Sequence, residues 1–466
     1  VLAPAIGYAR RGFPLLPRVV DTIRIVEALF RDHWHTSAAQ YLPGGELPVA
    51  GQLMRNEALA ACYERIVDEA ERRTSSREGQ FEAARDIFYS GFVAQEIVEW
   101  STANAVIDSS GAAHHALFEP ADFSQWRPEV EPSAQRDFLG LGVHKTGPWG
   151  QGPVFLQQLA LLDPGALAAA GVGTAEWVHR ITEAAKLAFA DREAWYADPA
   201  FVDVPLDALL SEEYNSARRR LIGETASFEL RPGSPQGRPP VIAQVSVASE
   251  ASEAVSATGT GEPTNFESGA VRGDTCHLDV VDSTGLMVSA TPSGGWLQSS
   301  PVIPALGFPL GSRAQMLWLE DGLPGSLAGR KRPRTTLSPT LVTRDGRPVL
   351  ACGTPGGDQQ DQWTLQFFLA HTVGGLDLQA AIDAATFHNL SFPGSFEPRT
   401  WVPGRLVVES RLGPDVIAEL RARGHDVEVV DGWALGRVTA VAHDLETATF
   451  RAAASPRSMQ AYAVGR

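Results

Sequence analysis

The sequence predicts an α+β chain in which helices cover β-sheets, and three observations carry that prediction. Apolar residues recur at three- and four-residue spacing through the first 111 residues, which indicates amphipathic helices over 18–30, 54–73 and 81–100. Two hairpin patterns lie in the second half, at 277–282 with 286–291 and at 340–343 with 348–352. From 378 onward helix and strand patterns alternate, over 378–387, 406–409, 415–423, 427–430 and 438–443.

The stretch between these halves mixes both kinds of element. It predicts a helix at 121–126, a short strand at 138–144 and a glycine-rich turn at 147–152. Thr174 is predicted to cap a long helix that runs to about Trp195, because its hydroxyl can accept a bond from a free backbone N–H of the first turn. Glu176 near the start of that helix adds a favourable interaction with the helix dipole.

Composition excludes several classes of partner. The 466 residues carry 39 basic and 55 acidic side chains, and a net charge of -16 argues against nucleic acid because phosphate binding needs a basic surface. No run approaches the ~20 apolar residues of a membrane span, so no membrane partner is expected. Cys62, Cys276 and Cys352 are too few for a disulfide framework, which favours a cytoplasmic location. Because the sequence begins at Val1 with no visible signal sequence, we expect a missing N-terminal part, and the location stays open.

A sharp change of composition marks the main internal boundary. Residues 244–274 are rich in Ser, Ala, Thr, Gly and Glu and hold almost no large apolar side chain, so they are predicted to form a flexible tail. The predicted organisation is therefore a first portion over 1–243, the tail over 244–274 and a second portion over 275–466.

Thr275 stands where this polar tail meets the first predicted strand, a buried one, in the sequence GDTCHLDVVD. A threonine at such a junction suits an N-terminal nucleophile. Its hydroxyl attacks the preceding carbonyl, the amide shifts to an ester, and water releases the upstream chain. The new amine of Thr275 then serves as base for its own hydroxyl. The alternative is an ordinary strand start, since threonine opens many strands.

A glycine loop strengthens the hypothesis. The strand pattern that ends at Cys352 leads into Gly353-Thr354-Pro355-Gly356-Gly357, where successive backbone N–H groups can bind an oxyanion. An ordinary strand-to-helix turn needs one glycine, whereas this one has three. A helix is predicted to follow over 358–369.

Other motifs fail. GLGVHKT at 140–146 lacks the glycine that precedes the lysine of a phosphate loop, and no GxSxG nucleophile elbow occurs. Cys276 and His277 have no second pair of ligands at a spacing that metal sites use. No metal and no organic cofactor is therefore expected.

The order of motifs resembles the γ-glutamyltransferase (γ-glutamyltranspeptidase) family of N-terminal nucleophile hydrolases over nearly the whole chain. Five segments carry the resemblance: LAPAIGYARRGFPL, EAAKLAFADREAWYADPAFVDVP, TCHLDVVDSTGLMVSAT, RPRTTLSPTLV and CGTPGG. The resemblance implies a four-layer αββα sandwich built from two chains of one autoprocessed precursor. The two chains would form a heterodimer that acts on a small-molecule substrate, with a dimer of such heterodimers left open.

The same resemblance assigns the catalytic residues. It implies cleavage between Asp274 and Thr275, with Thr275 as the nucleophile and Ser293 as a second hydroxyl that bonds to it. Gly356 and Gly357 match the pair whose backbone N–H groups form the oxyanion hole.

The substrate-binding residues match the family less well. Thr335 and Thr336 fall on a serine pair that contacts the substrate's α-carboxylate, and Gln315 aligns with a neighbouring acceptor. Gly295 stands where the family has an asparagine, and Trp318 stands where it has the aspartate that binds the α-amino group. An arginine that binds the α-carboxylate is expected before the first residue. An indole gives an ammonium no anionic partner, so a free glutamyl head is poorly accommodated. The alternative is that Glu320 or Asp321, a few residues further on, supplies the missing charge.

Three functional hypotheses follow. The first is an autoprocessed hydrolase or transferase that acts through an acyl-enzyme on a γ-glutamyl-like group of a non-standard substrate. The second resembles the family members of lincosamide and pyrrolobenzodiazepine antibiotic pathways: a C–C bond hydrolase that removes an oxalyl-type acyl group from a cyclic amino acid intermediate. The third is a non-catalytic relative that binds a ligand or partner. Acyl donor and acceptor stay open in all three.

Overall fold

The computed structural model describes residues 1–108, 110–245, 247, 275–294, 297, 299–396, 399, 401–457 and 461–465. These residues form two compact units. The first holds Val1–Val130 and Gly294–Ser312, and the second holds the described residues of Glu131–Ser252, Pro263–Ser293 and Arg313–Arg466. Compactness does not report cleavage, so the division at 243 and 274 stays a prediction.

The first unit is mainly helical, as its periodicity predicts. Its helices are α1 (Ala3–Arg11), α2 (Pro17–Ile25), α3 (Glu27–Asp32), α4 (His35–Tyr41), α5 (Glu57–Arg73), α6 (Arg77–Tyr89), α7 (Phe92–Ala103) and α8 (Pro120–Ser124). Two antiparallel strand pairs accompany them, β1 (Phe13–Pro14) with β2 (Leu53–Met54) and β3 (Val106–Ile107) with β4 (Ala113–His114).

Two of the predicted helices in this unit are interrupted. The pattern over 18–30 breaks at Val26, which has a non-helical backbone between α2 and α3. The pattern over 81–100 breaks at Gly91, where a Cβ would lie 2.6 Å from the Ile87 carbonyl oxygen. The third begins later than predicted, since Asn56 caps α5 by accepting a bond from the Leu59 N–H at 2.9 Å. Apolar periodicity therefore locates the buried face but not the breaks.

The second unit is built on sheets covered by helices. Its strands are β5 (Ala134–Phe138), β6 (Leu141–Lys145), β7 (Leu278–Val281), β8 (Met287–Ala290), β9 (Thr340–Arg344), β10 (Arg347–Gly353), β11 (Phe387–Asn389), β12 (Arg405–Glu409), β13 (Asp426–Val430), β14 (Thr439–Asp444) and β15 (Thr449–Ala454). Its helices are α9 (Gly152–Leu161), α10 (Pro164–Ala170), α11 (Ala175–Trp195), α12 (Leu206–Leu210), α13 (Glu212–Arg219), α14 (Gln360–Thr372), α15 (Leu378–Asp383) and α16 (Pro414–Ala422).

A six-stranded antiparallel sheet forms the centre of this unit, in the order β15-β14-β10-β9-β6-β5. Leu350 and Cys352 of β10 belong to the core that α9, α11 and α14 cover. Neighbouring residues of a strand face opposite sides, and Gly353 of β10 meets the His277 ring at the start of the β7–β8 hairpin. The hairpin therefore packs on the face of the sheet opposite to the helices, which gives a helix–sheet–hairpin order of layers.

The predicted α+β class is confirmed, and several elements agree closely. Thr174 caps α11 by accepting the Trp177 N–H at 3.2 Å, and both predicted hairpins are present. The single strand predicted over 138–144 is wrong. Leu139 and Gly140 take positive φ angles of 54° and 77° and turn the chain, so this segment is the β5–β6 hairpin. A further three-stranded sheet has the order β11-β12-β13, and the four-layer arrangement stays a prediction.

The prediction that Thr275 opens a buried strand is also wrong in one respect. Leu278 and Val280 of β7 are 44% and 50% exposed, whereas the His277 and Asp279 side chains are each 1% exposed. The polar face of the hairpin is the buried one, because the central sheet supplies hydrogen-bond partners for it, such as Thr439 for Asp279. Within the described residues, no helix combines the length and apolar character that crossing a membrane requires.

Candidate active site

Thr275 lies three residues before β7, at the head of the hairpin. Its Oγ1 lies 3.0 Å from Oγ of Ser293, three residues beyond β8, so the hairpin brings the two hydroxyls together. The Cys276 N–H donates to the Pro292 carbonyl at 3.1 Å and extends the ladder to this end. Cys276 itself is exposed. The predicted pairing of Thr275 with Ser293 therefore has the geometry that one hydroxyl needs to orient another.

A buried polar network fixes the hairpin beneath Thr275. His277 Nε2 lies 3.0 Å from both carboxylate oxygens of Asp279, and Nδ1 lies 2.8 Å from Oγ1 of Thr291. Asp279 also accepts bonds of 2.8 Å from the hydroxyls of Ser289 and Thr439. Thr439 belongs to β14, so this carboxylate joins the hairpin to the central sheet. Because buried polar groups are costly unless paired, the network favours one register.

The glycine loop adjoins this network. A Cβ at Gly353 would overlap the His277 ring, so only glycine allows so close an approach. Gly356 and Gly357 follow with φ angles of 130° and 56°, in the region that glycine adopts without strain. The positive φ angles and the contact at Gly353 explain why this turn contains three glycines. The loop and the head of the hairpin therefore lie side by side.

Asp358 anchors the loop immediately after Gly357. One of its oxygens accepts bonds from the Arg192 guanidinium of α11 and from the Ser395 hydroxyl, and the other accepts the Ser395 N–H at 2.9 Å. Arg192 also donates to Gln151 at 2.9 Å and pairs with Glu193 at 2.8 Å. Burial opposes ionisation of Asp358, but Arg192 and Ser395 outweigh it, so the pKa of Asp358 lies below its ordinary value. A charged, fully paired carboxylate thus fixes the loop that carries the glycine N–H groups.

Thr335 and Thr336 are buried, and Thr335 is joined by backbone hydrogen bonds to the segment that contains Gln151. The Thr335 N–H donates to Trp149 and its carbonyl accepts from Gln151, each at 2.9 Å. Arg334, just before them, donates to the Ser395 hydroxyl at 3.3 Å and pairs with Glu193 at 2.9 Å. Thr335 therefore shares Gln151 with the glycine loop, and the preceding residue Arg334 shares Ser395 with it.

Gln315 and Trp318 are held by Arg399. The Arg399 guanidinium donates to the carbonyls of Gln315 and Leu317, both at 2.9 Å, and lies 3.9 Å from the centre of the Trp318 ring. Arg399 is buried and has a positive φ angle of 57°, and it also donates to the Ser395 carbonyl at 3.4 Å. Ser395 thus links the Gln315–Trp318 segment to the glycine loop as well.

The structure brings most of the predicted site residues together. Gly295 and Asp274 lie outside the described residues, so their roles stay predictions. Sequence reasoning missed the residues that support the site, namely Arg192, His277, Asp279, Asp358, Ser395 and Arg399. Two of them left a signal: Arg192 lies in the EAAKLAFADR motif, and Asp358 directly follows the glycine pair. Their partners are distant in sequence, so only the fold reveals the pairs.

One cluster in the described part of the chain has metal-ligand chemistry, and we assign no metal to it. His179 Nδ1 lies 2.8 Å from His425 Nε2, and Glu183 lies near both. The Glu183 carboxylate already pairs with Lys186 at 2.6 Å and Arg231 at 3.2 Å, and these cations oppose a divalent ion. Burial, aided by Lys186, lowers the pKa of His425 to about 3, so the His425 imidazole is neutral and is hydrogen-bonded to His179.

Two hydroxyls in contact beside a loop of glycine N–H groups are the combination that nucleophilic hydrolases use. The sequence model of the γ-glutamyltranspeptidase family matches residues 1–465, so the chain belongs to this family, whose members are N-terminal nucleophile hydrolases.

Individual relatives differ in their sequence identity to this chain and in how much of their own length it covers. The chain is 27% identical over 431 residues to the ACY 1 acylase proenzyme of Pseudomonas sp. (strain V22), with 92% of this chain and 64% of that protein covered. It therefore spans less than two thirds of that relative. Among solved structures, LmbA2991 is 51% identical with a TM-score of 0.90, and the match covers 99% of this chain and 77% of LmbA2991. The cephalosporin acylase of Bacillus halodurans shares the fold, with 24% identity and a TM-score of 0.75. That match covers 100% of this chain and 74% of the acylase chain.

Proposed function

We propose that this chain is an autoprocessed N-terminal threonine hydrolase or transferase that works through an acyl-enzyme. The observation that carries the proposal is the 3.0 Å contact between the Thr275 and Ser293 hydroxyls at the head of the hairpin, beside the glycine loop. Cleavage between Asp274 and Thr275 frees the Thr275 amine. The product is a heterodimer of 1–274 and 275–466, in keeping with the proenzyme names of the relatives.

The acyl transfer follows from these groups. The Thr275 amine takes the hydroxyl proton while Oγ1 bonds to the substrate carbonyl carbon, and the carbonyl oxygen becomes an oxyanion. The N–H groups of Gly356 and Gly357 stabilise that oxyanion, a contribution worth about 3–4 kcal/mol per donor in comparable sites. The proton then passes to the leaving group, whose bond to the carbonyl breaks. Water or another acceptor cleaves the ester and restores the hydroxyl.

The acyl group is not a free glutamyl head, because the described residues that line the cavity beside Trp318 offer no unpaired carboxylate. Where the family binds the α-amino group, this chain has Trp318 with the Arg399 guanidinium 3.9 Å from its ring centre. Glu193 lines the small cavity beside Trp318, but it already pairs with Arg192 and Arg334. The three guanidinium groups of Arg192, Arg334 and Arg399 outnumber the two carboxylates of Glu193 and Asp358, and this excess of positive charge repels an ammonium and favours a neutral or anionic acyl group.

A second candidate is the C–C bond hydrolase that removes an oxalyl-type group from a cyclic amino acid intermediate. The surplus of guanidinium groups suits the carboxylate of such a group, and the indole suits a flat ring. Thr275 attacks the ketone, the C–C bond breaks, and its electron pair passes into the conjugated ring fragment, which takes up a proton. Water then releases the diacid from Thr275.

A denaturing gel and a substrate panel test the proposal. Wild type is expected to run as two bands, Thr275→Ala as one, and Thr275→Ser as two after slower processing. Purified wild type is then given a γ-glutamyl anilide and a neutral or oxalyl-type acyl donor. Slow or no turnover of the anilide is expected because its ammonium meets Arg399. A single band from folded wild type would refute the nucleophile, and efficient anilide turnover with competition by free glutamate would refute the acyl assignment.

A further inference from the structure

A cavity of about 320 Å³ lies behind the glycine loop in the second unit. Its walls come from α11, α14, α15 and the segments before β11 and β14. The volume suits a ligand of small-molecule size, since protein ligand pockets begin at about 300 Å³. Much of the lining is apolar, including Trp177, Phe367, Ile382 and Val438.

One polar group of the cavity wall lacks a partner. Trp363 lines the cavity and is 2% exposed, and its indole Nε1 is buried with no hydrogen-bond acceptor among the described residues. A buried donor without an acceptor is unfavourable, so a ligand acceptor that reaches this N–H is favoured. The side-chain amide of Gln366 on the same wall already has partners. It donates to the Phe387 carbonyl at 2.7 Å and accepts the Phe387 N–H at 3.2 Å.

The charge of the wall is positive. Arg411 and Arg457 line the cavity, whereas none of its described lining residues is acidic. Both guanidinium groups share the buried carboxylate of Glu409, with Arg457 at 2.7 Å and Arg411 at 2.7 Å. Two cations against one anion leave one positive charge, which favours an anionic ligand in this low-dielectric surrounding.

The cavity shares a wall with the oxyanion loop. A Cβ at Gly356 would overlap the Trp363 ring, and a Cβ at Gly436 would lie 3.5 Å from the same ring, so the indole is held between the two glycines. The next residue, Arg437, donates its N–H to the Thr354 hydroxyl at 3.1 Å. A ligand that moves Trp363 therefore acts on the loop through two contacts.

We propose that this cavity binds a small monocarboxylate with an apolar body. One carboxylate oxygen accepts the Trp363 N–H, the charge faces Arg411 and Arg457, and the apolar part packs on Phe367 and Val438. Occupancy alters the position of Gly356 and lowers kcat with little change of KM. This last part rests on the proposed function, whereas binding does not.

Indole NMR of the ¹⁵N-labelled protein tests binding without any turnover. The 11 tryptophans give indole signals, and Trp363→Phe identifies the one that matters because it removes the N–H and keeps a ring against Gly356. Phenylacetate is expected to shift this signal saturably, and phenylacetamide to require at least tenfold higher concentration. Ala385→Leu, which fills the cavity, is expected to abolish the shift; Ala370→Leu serves if that variant does not fold.

Three results would overturn the site: no shift with phenylacetate, an equal response to phenylacetamide, or a shift that survives in the filled variants. If binding is found, turnover of the best acyl donor is measured with and without phenylacetate. An unchanged kcat at saturating phenylacetate would refute the coupling to Gly356 and leave the binding result standing. A protein without turnover would refute the proposed function, again without touching the binding result.

Discussion

The hairpin that follows Thr275 and the glycine loop that follows β10 meet where the His277 ring lies against Gly353, but they are held by different chemistry. The hairpin rests on hydrogen bonds among His277, Asp279 and hydroxyl groups, with its apolar side chains exposed. The loop rests on a fully buried ion pair, Arg192 with Asp358, inside a helical core. An ion pair and core packing therefore hold the loop, whereas directional hydrogen bonds between polar side chains fix the register of the hairpin.

The largest effect is expected from the ion pair. Asp358→Ala leaves the Arg192 guanidinium buried with Glu193 as its remaining anionic partner, and breaking a buried pair costs about 3–5 kcal/mol. Urea unfolding measures the loss. Asp358→Asn is the matched control, because it keeps an acceptor for Arg192 and Ser395 and should lose less. A cost below about 1 kcal/mol for Asp358→Ala would mean that the pair does not hold the loop.

A methyl group between the two regions should have the next largest effect. Gly353→Ala places a Cβ into the His277 ring, and such overpacking costs about 1–3 kcal/mol. In the double variant with His277→Ala the ring is gone. The stability that the double variant loses should therefore be smaller than the sum of the two single losses, by at least about 0.5 kcal/mol. Denaturant midpoints of the four proteins give this coupling. Simple additivity would show that the hairpin and the loop do not touch here.

Low pH should weaken the second unit through two buried histidines, His388 and His425. Burial lowers the pKa of His388, whose ring meets the edge of Trp363, to about 3, and the pKa of His425 falls to a similar value. The unfolded chain binds these protons near pH 6.5, so the stability is complete above that pH and declines as the pH falls towards 3. Each histidine contributes about 1.4 kcal/mol per pH unit in this window.

Thermal or urea unfolding between pH 7.5 and 5 measures that slope. His388→Gln and His425→Gln should each flatten it, and His115→Gln, at an exposed position, should not. A slope that is unchanged in both buried variants would contradict the assignment of neutral buried imidazoles.

The smallest effect is expected on the outer face of the hairpin. Leu278→Thr and Val280→Thr change exposed side chains, so each should alter the free energy of unfolding by less than about 0.5 kcal/mol. Val143→Thr is the matched control on β6, where the side chain is fully buried and the new hydroxyl needs a partner, at a cost of about 1–3 kcal/mol. Costs at Leu278 and Val280 as large as the cost at Val143 would show that the hairpin's outer face is covered.

Local signals in the sequence predict the parts of this fold that depend on neighbours in the chain. Thr174 marks the start of α11 because a hydroxyl cap acts within one turn, and the β7–β8 and β9–β10 hairpins follow from their turn residues. The junction at Thr275, the glycines around Gly356 and the family resemblance together predict the nucleophile and the oxyanion loop. The structure adds the 3.0 Å contact between Thr275 and Ser293.

The remainder depends on contacts between distant segments. Arg192 meets Asp358 from 166 positions away, and Thr439 meets Asp279 from 160 positions away. Alternation along β7 shows that its residues divide between two faces, but whether the polar or the apolar face is buried depends on the strand that it meets. For this reason the sequence misplaces Leu278 and Val280, and it is silent on Arg399.

The measurement that tests the account most directly is the intact mass of the purified, folded protein, combined with N-terminal sequencing of each chain. The account predicts two chains held together after folding, of which the smaller begins with Thr275 and has the mass of residues 275–466, whereas Thr275→Ala gives one uncut chain. A single uncut chain from folded wild type, or a cut at any other residue, would contradict the assignment of Thr275 as the nucleophile.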